Sequence, residues 1–180
     1  MKEKLGIVAA RLFAKRQDRV RPALDDKILL GWNALMNTAA CRAFTATGNE
    51  AYRMLARENM TFLLDNFSNG EGGFFHTWKN GQARYPAFLD DYAFLVEALL
   101  HLQEITAELT WLQKARELAE YVQDRFKEEA TGFFFYTPAG QSDVIVRKKE
   151  VYDGALPSGN AVMARNLHHL GILFDIPAWK

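Results

Sequence analysis

Cysteine is almost absent from this chain of 180 residues: Cys41 stands alone, which excludes an intrachain disulfide, a Cys-x-x-Cys redox pair and a zinc knuckle. Net charge is absent too. With 22 basic and 22 acidic residues there is no global field to recruit nucleic acid, and none to hold the chain to an anionic membrane. No apolar run approaches the roughly 18 to 20 residues needed to cross a bilayer, and no signal peptide opens the chain, so a cytoplasmic location is expected. Histidine is scarce and badly spaced for metal. His76 falls in a strand-like segment, His101 inside a helical one, and His168 and His169 point about 100° apart on a helix, so neither a metal nor a cofactor is expected. The lysine and strand context of a phosphate-binding loop are missing around Pro157-Ser158-Gly159-Asn160, and there is no nucleophilic serine elbow.

What the chain has is a repeat. Asp25-Asp26-Lys27 precedes Gly31-Trp32-Asn33-Ala34-Leu35-Met36; Asp90-Asp91-Tyr92 precedes Ala93-Phe94-Leu95-Val96; Asp153-Gly154 precedes Pro157-Ser158-Gly159-Asn160-Ala161-Val162-Met163. A second marker, Gly73-Phe74-Phe75, recurs as Gly132-Phe133-Phe134. The interval of roughly sixty residues exceeds the roughly 34 to 47 of the common one-helix-pair solenoids, so each repeat carries something beyond a helix pair.

Apolar spacing predicts helices over about 2–16, 27–46, 50–67, 89–106 and 110–128, and a last one from Ser158 or Asn160 to about 174. Between them the period changes. Phe74 to Trp78 and Ala83 to Tyr85 flank Asn80-Gly81, a dipeptide that tolerates the positive φ of a tight hairpin; Phe133 to Thr137 and Val144 to Arg147 predict a second hairpin. Helix pairs alternating with hairpins make this an all-α chain, a partial α/α toroid of about three helical pairs with short β-hairpins in the connections. One domain over 1–180 is expected, with units of about 2–70, 71–130 and 131–180. Small residues such as Ala39-Ala40, Ala93 with Ala98, and Ala161 with Ala164 suit helices that approach closely around an axis.

Three blocks in this order carry a family resemblance: Arg21-Pro22 through Asp25-Asp26-Lys27 to Trp32-Asn33-Ala34-Leu35-Met36, then Ala87-Phe88-Leu89-Asp90-Asp91-Tyr92-Ala93-Phe94-Leu95, then Lys149-Glu150 through Asp153-Gly154-Ala155 to Pro157-Ser158-Gly159-Asn160. They resemble the YyaL and spermatogenesis-associated protein 20 family. The resemblance implies a thioredoxin-like domain joined to a toroid similar to six-hairpin glycosidases and N-acylglucosamine 2-epimerases. Only about half of the toroid is matched here, and nothing matches the thioredoxin-like part.

Sugar chemistry in a toroid requires carboxylates as acid and base, with aromatic rings and amides to read the sugar. Asp26, Asp91 and Asp153 occupy equivalent points of the three units and are the candidate catalytic groups. Trp32, Asn33, His76, Tyr92, Ser158 and Asn160 are candidate substrate-binding residues. An aspartate at a helix entrance also caps free N–H groups and meets the helix dipole, and in the doublets one member can cap while its neighbour faces a cavity. Two functions follow: a carbohydrate-active domain, glycosidase-like or epimerase-like and inactive as an isolated fragment of a larger protein, or a non-catalytic scaffold. A small sugar is the expected ligand. Half a ring leaves apolar flanks at its first and last units, as an uncapped repeat array does, which predicts self-association.

Overall fold

The computed structural model describes residues 1–180. Its elements are α1 (Lys2–Gln17), β1 (Ile28–Leu29), α2 (Leu30–Thr47), α3 (Glu50–Phe67), β2 (Phe75–Lys79), β3 (Gln82–Pro86), α4 (Leu89–Thr106), α5 (Leu109–Phe126) and α6 (Gly159–Leu173), with a closing 3-10 turn at Pro177–Trp179. The six helices stand close to where apolar spacing places them.

Local chemistry sets their ends. Gly48 takes the left-handed conformation (φ 66) that lets its N–H close onto Phe44 O, and the next residue, Asn49, accepts the Ala51 N–H at 3.0 Å to open α3. That two-residue joint turns α3 back along α2. Asn80 and Gly81, at φ 52 and 76, make the tight turn between β2 and β3. A short third strand, which the period of the sequence does not announce, pairs Ile28 and Leu29 of β1 with Trp78 and Thr77 of β2 in antiparallel register.

The core lies along α4. Every residue of α4 from Leu89 to Leu100 except Asp90 is buried, because α2, α5 and α6 surround it and α3 touches it. A helix buried all round has no polar face to show. Tyr92 is central: it stacks on Tyr121 at 5.3 Å, meets Phe126 edge-on at 5.3 Å, and its hydroxyl accepts the Phe74 N–H at 2.8 Å. Helices α2, α4 and α6 form the inner row, with α3 and α5 packed outside. Buried amides stitch the helices together: Asn37 on α2 donates to Ala56 O of α3 at 2.7 Å, and Asn166 on α6 donates to Ala93 O of α4 at 2.8 Å. Of the small residues expected at the close approaches, Ala40, Ala93 and Ala98 are buried; Ala39, Ala161 and Ala164 are exposed.

One expectation is corrected. The second hairpin does not form: residues 131–157 cross as irregular chain, with a single bridge between Lys127 and Phe134. Its peptide groups find other partners. Phe135 N–H and Ala139 N–H donate to Phe126 O and Arg125 O at the end of α5, while the Arg147 guanidinium donates to Thr137 O and Arg125 O and lies 4.1 Å over the Phe135 ring. The closing turn folds back on α6, so that Trp179 backbone sits where a side chain on Gly171 would have to go. Helix α1 buries no residue, and Leu5, Val8, Leu12 and Phe13 lie exposed along it.

Candidate functional site

The N-termini of the three inner helices meet at the doublet Asp90-Asp91. Asp91 belongs to the first turn of α4, and its carboxylate reaches in two directions. Oδ2 accepts the Phe88 N–H at 2.9 Å, capping its own helix, and Oδ1 accepts the Gly31 N–H at 2.9 Å in the first turn of α2. The same Oδ2 bonds His76 Nδ1 at 2.8 Å, so β2 is tied to this point as well. Three partners thus meet this buried carboxylate, two backbone amides and an imidazole. The arrangement requires glycine on α2: a Cβ on residue 31 would stand 2.8 Å from Asp91 Oδ1.

Asp90 faces the other neighbour. Its carboxylate lies against the backbone of Gly159, the first residue of α6, and a Cβ there would overlap Asp90 Oδ1. The two aspartates thus divide the work, one toward α2 and one toward α6, each opposite a glycine. Their environments differ. Desolvation, with Glu150 and then Asp91 nearby, pushes the Asp90 carboxyl up to about 6 despite the Gly159 N–H that favours its charge. The bond to Asp91 holds His76 above the ordinary histidine range, against partial burial. Beside them lies an aromatic platform, with Phe88 stacked on Tyr136 at 4.9 Å and His76 tilted against Phe88 at 4.9 Å. Desolvation and the charges of Asp90, Asp91 and Glu150 raise the Tyr136 hydroxyl's pKa.

Of the residues singled out in the sequence, the structure joins Asp91 and His76 directly. No hydrogen bond or ion pair links either to Asp26 or Asp153. Asp26 pairs with Lys79 on the sheet, half exposed, which lowers its pKa. Asp153 accepts the Ser158 N–H at 2.8 Å, ahead of α6. Tyr92 does not line a cavity: it is 1% exposed and its hydroxyl is taken. Ser158 donates to Glu150 O, and Asn160 bonds both Phe134 N–H and O and also Glu150 O, so their polar groups anchor the irregular crossing to α6. Asn33 bonds Leu29 O and accepts from Asn59. Trp32 is open, 65% exposed. Arg147 and Lys149, the cations before the third aspartate, are engaged by carbonyls and by Glu128. No cluster of three or more His, Cys, Asp or Glu side chains could hold a metal. No helix is long and apolar enough to cross a membrane.

Asp90, Phe88, Tyr136 and Glu150, which gather at this doublet, are not among the candidates that the sequence singles out. The signal for Asp90 was the doublet itself, in which one acid is free once the other caps.

No family model matches the chain. Over 179 residues it is 34% identical to spermatogenesis-associated protein 20 of Rattus norvegicus, and over 170 residues 32% identical to the protein of that name in Homo sapiens. These stretches cover 94% and 89% of this chain but 23% and 22% of those proteins, so the chain spans less than a quarter of the relatives it matches. Among solved structures it resembles cellobiose 2-epimerase from Spirochaeta thermophila, with TM-score 0.67, 18% identity, and coverage of 85% of this chain and 40% of that one. It also resembles an α-1,6-mannanase of Salegentibacter sp. in complex with α-1,6-mannotriose, an inactive variant with two consecutive aspartates changed to asparagine (TM-score 0.63, 13% identity, 84% and 44% coverage). The resemblance to spermatogenesis-associated protein 20 therefore stands, and the fold is that of α/α-toroid glycosidases and epimerases, present here in part.

Proposed function

We propose that this chain is the acid-bearing part of a carbohydrate-active α/α toroid, in which Asp90 is the general acid and Glu150 the second carboxylate. The observation that carries this reading is the half-buried Asp90 carboxyl, pushed up to about 6 where the inner helices converge. A carboxyl poised near neutral pH can hold a proton and release it, which is what protonation of a glycosidic or ring oxygen demands. Asp91 and His76 are positioning residues that fix the doublet, and Phe88 with Tyr136 offers a flat apolar face of the kind on which sugar rings rest. The mannanase inactivated at two consecutive aspartates supports reading a doublet in this fold as chemical rather than only structural.

Ligand-observed NMR of the 180-residue chain against mono- and disaccharides, including cellobiose and mannobiose, tests the reading. Saturation transfer is expected to at least one sugar, weakened about tenfold in Asp90→Asn, because a carboxylate accepts charge-assisted bonds that an amide does not. Silence across the panel would instead favour a second reading, a non-catalytic scaffold. The specific observation behind that reading is that Asp91 and Asp153 both spend their oxygens on backbone amides.

Self-association belongs to the same proposal. The exposed apolar residues of α1, with Ile172 and Leu173 at the far end of the inner row, are the uncovered flanks of an incomplete ring. Light scattering should show species larger than the 20.5 kDa monomer, and a clean monomer at high concentration removes this part.

A further inference from the structure

Two turns further along α4 from Asp90, the inner row holds a second polar feature. Glu97 is a charged residue in an otherwise apolar stretch, 7% exposed, and its Oε1 is shared by two arginines from the flanking helices. Arg42 on α2 approaches to 3.5 Å, and Arg165 on α6 donates to the same oxygen. Both arginine side chains remain 62% exposed, so the buried carboxylate fixes them at one edge while their other N–H groups face solvent. One carboxylate between two guanidiniums leaves one positive charge. Glu104, which bonds His101 Nδ1 at 2.7 Å, lines a neighbouring depression with Arg42, Glu97 and Arg165, and His101 Nε2 lies 3.9 Å from Glu97 Oε1.

The two arginines and Glu97 share a groove of about 310 Å³ with Leu35, Thr38, Pro157 and Val162. Thr38 is 6% exposed, and its hydroxyl has no hydrogen-bond partner. That hydroxyl is shut off from solvent and lies out of a ligand's reach. The charged side chains that line the groove sum to +1, a forked cation pair set among apolar walls, at a size that suits a small ligand.

We propose that this groove is an anion subsite, which binds the carboxylate or phosphate of an acidic sugar between Arg42 and Arg165. The proposal rests on the carbohydrate reading above and narrows it to charged sugars. Glu97 and Asp90 are seven residues apart on one helix, a rise of about 10.5 Å, so a ligand anchored at the arginines extends along the inner row toward the acid.

The test is titration of the chain, followed by NMR, with glucuronate, glucose 6-phosphate, glucose and inorganic phosphate. At least one of the two acidic sugars should bind about tenfold or more tightly than glucose, and which one identifies the anion. Its affinity should fall about tenfold in Arg165→Gln and separately in Arg42→Gln, and should fall with added salt. These arginines are exposed on different helices, and circular dichroism checks that each variant is folded. Acidic sugars binding no better than glucose, affinity unchanged in both variants, or inorganic phosphate binding as well as the sugar phosphate would each overturn the proposal. Asp90→Asn separates it from the parent reading: anion binding retained there, with neutral disaccharides silent in the parent chain, would leave the subsite standing and remove the acid.

Discussion

Asp91→Ala is expected to lower the unfolding free energy by about 4.5 kcal/mol, the lower end of the range for three bonds to a buried charged group at about 1.5 to 3 kcal/mol each. The substitution strips the Gly31 N–H, the Phe88 N–H and His76 of their shared acceptor at one stroke. Two helix N-termini and a strand then lose their common anchor, and the two amides stay buried with no acceptor in reach. For a protein of this length that loss corresponds to a fall of roughly 10 °C in the midpoint. Asp91→Asn should recover only part of it, because an amide nitrogen turned toward an N–H is a clash of donors. Urea unfolding of the three proteins measures this directly. A loss below about 1 kcal/mol in Asp91→Ala would mean that the helices are held by packing alone.

Asp90→Asn should do the opposite, stabilising the protein at pH 8 by about 1 to 2 kcal/mol once partial solvent screening is allowed for. The carboxyl sits near 3.8 in the unfolded chain and about 6 in the folded one. Between those values the folded state holds the proton more tightly, so this group favours the fold below about pH 4 and loses that advantage as pH rises through 6. Asparagine has no proton to lose. The difference in stability between parent and variant should accordingly open between pH 4 and 6 and stay constant above. His76 adds to the parent's decline at higher pH: its raised pKa supplies stability below about 6.5 that disappears as it deprotonates. Thermal melts of both proteins from pH 4 to 8 are the measurement, and parallel curves would show that Asp90 is an ordinary surface acid. A variant that is more stable yet binds sugar less well carries the signature of a site kept at a cost to the fold.

The helices were legible because their determinants are local. Gly48-Asn49 and Asn80-Gly81 dictate their turns whatever surrounds them, and apolar spacing marks α2 through α6. The hairpin expected over 133–147 was not legible for the converse reason. Phe133 to Tyr136 have the composition of a strand, but Arg147, Asn160 and the open carbonyls at the end of α5 satisfy the backbone first, and that competition is tertiary. The surroundings of the aspartates were legible only in part. Periodicity singled out the aspartate positions, yet equivalent places in a repeat do not receive equivalent neighbours: Asp26 meets Lys79, Asp153 meets a loop amide, and only the central doublet has an inner helix on each side. Tyr92 was misjudged because sequence places it next to the acids, whereas helical geometry turns it about 100° away, into the core.

The seams between inner helices also bear on how the chain reaches this state. Each helical hairpin closes across a joint of two residues, Gly48-Asn49 or Ala107-Glu108, and needs almost no search. The bonds that align the inner row join residues 60, 68 and 73 positions apart, namely Gly31 with Asp91, Glu97 with Arg165 and Ala93 with Asn166. Closing such loops takes chain entropy before any contact rewards it. Assembly is therefore expected to run from prefabricated hairpins to a slow lateral docking, with α4, the strip that both neighbours must find, as the template on which the curvature of the ring is first set.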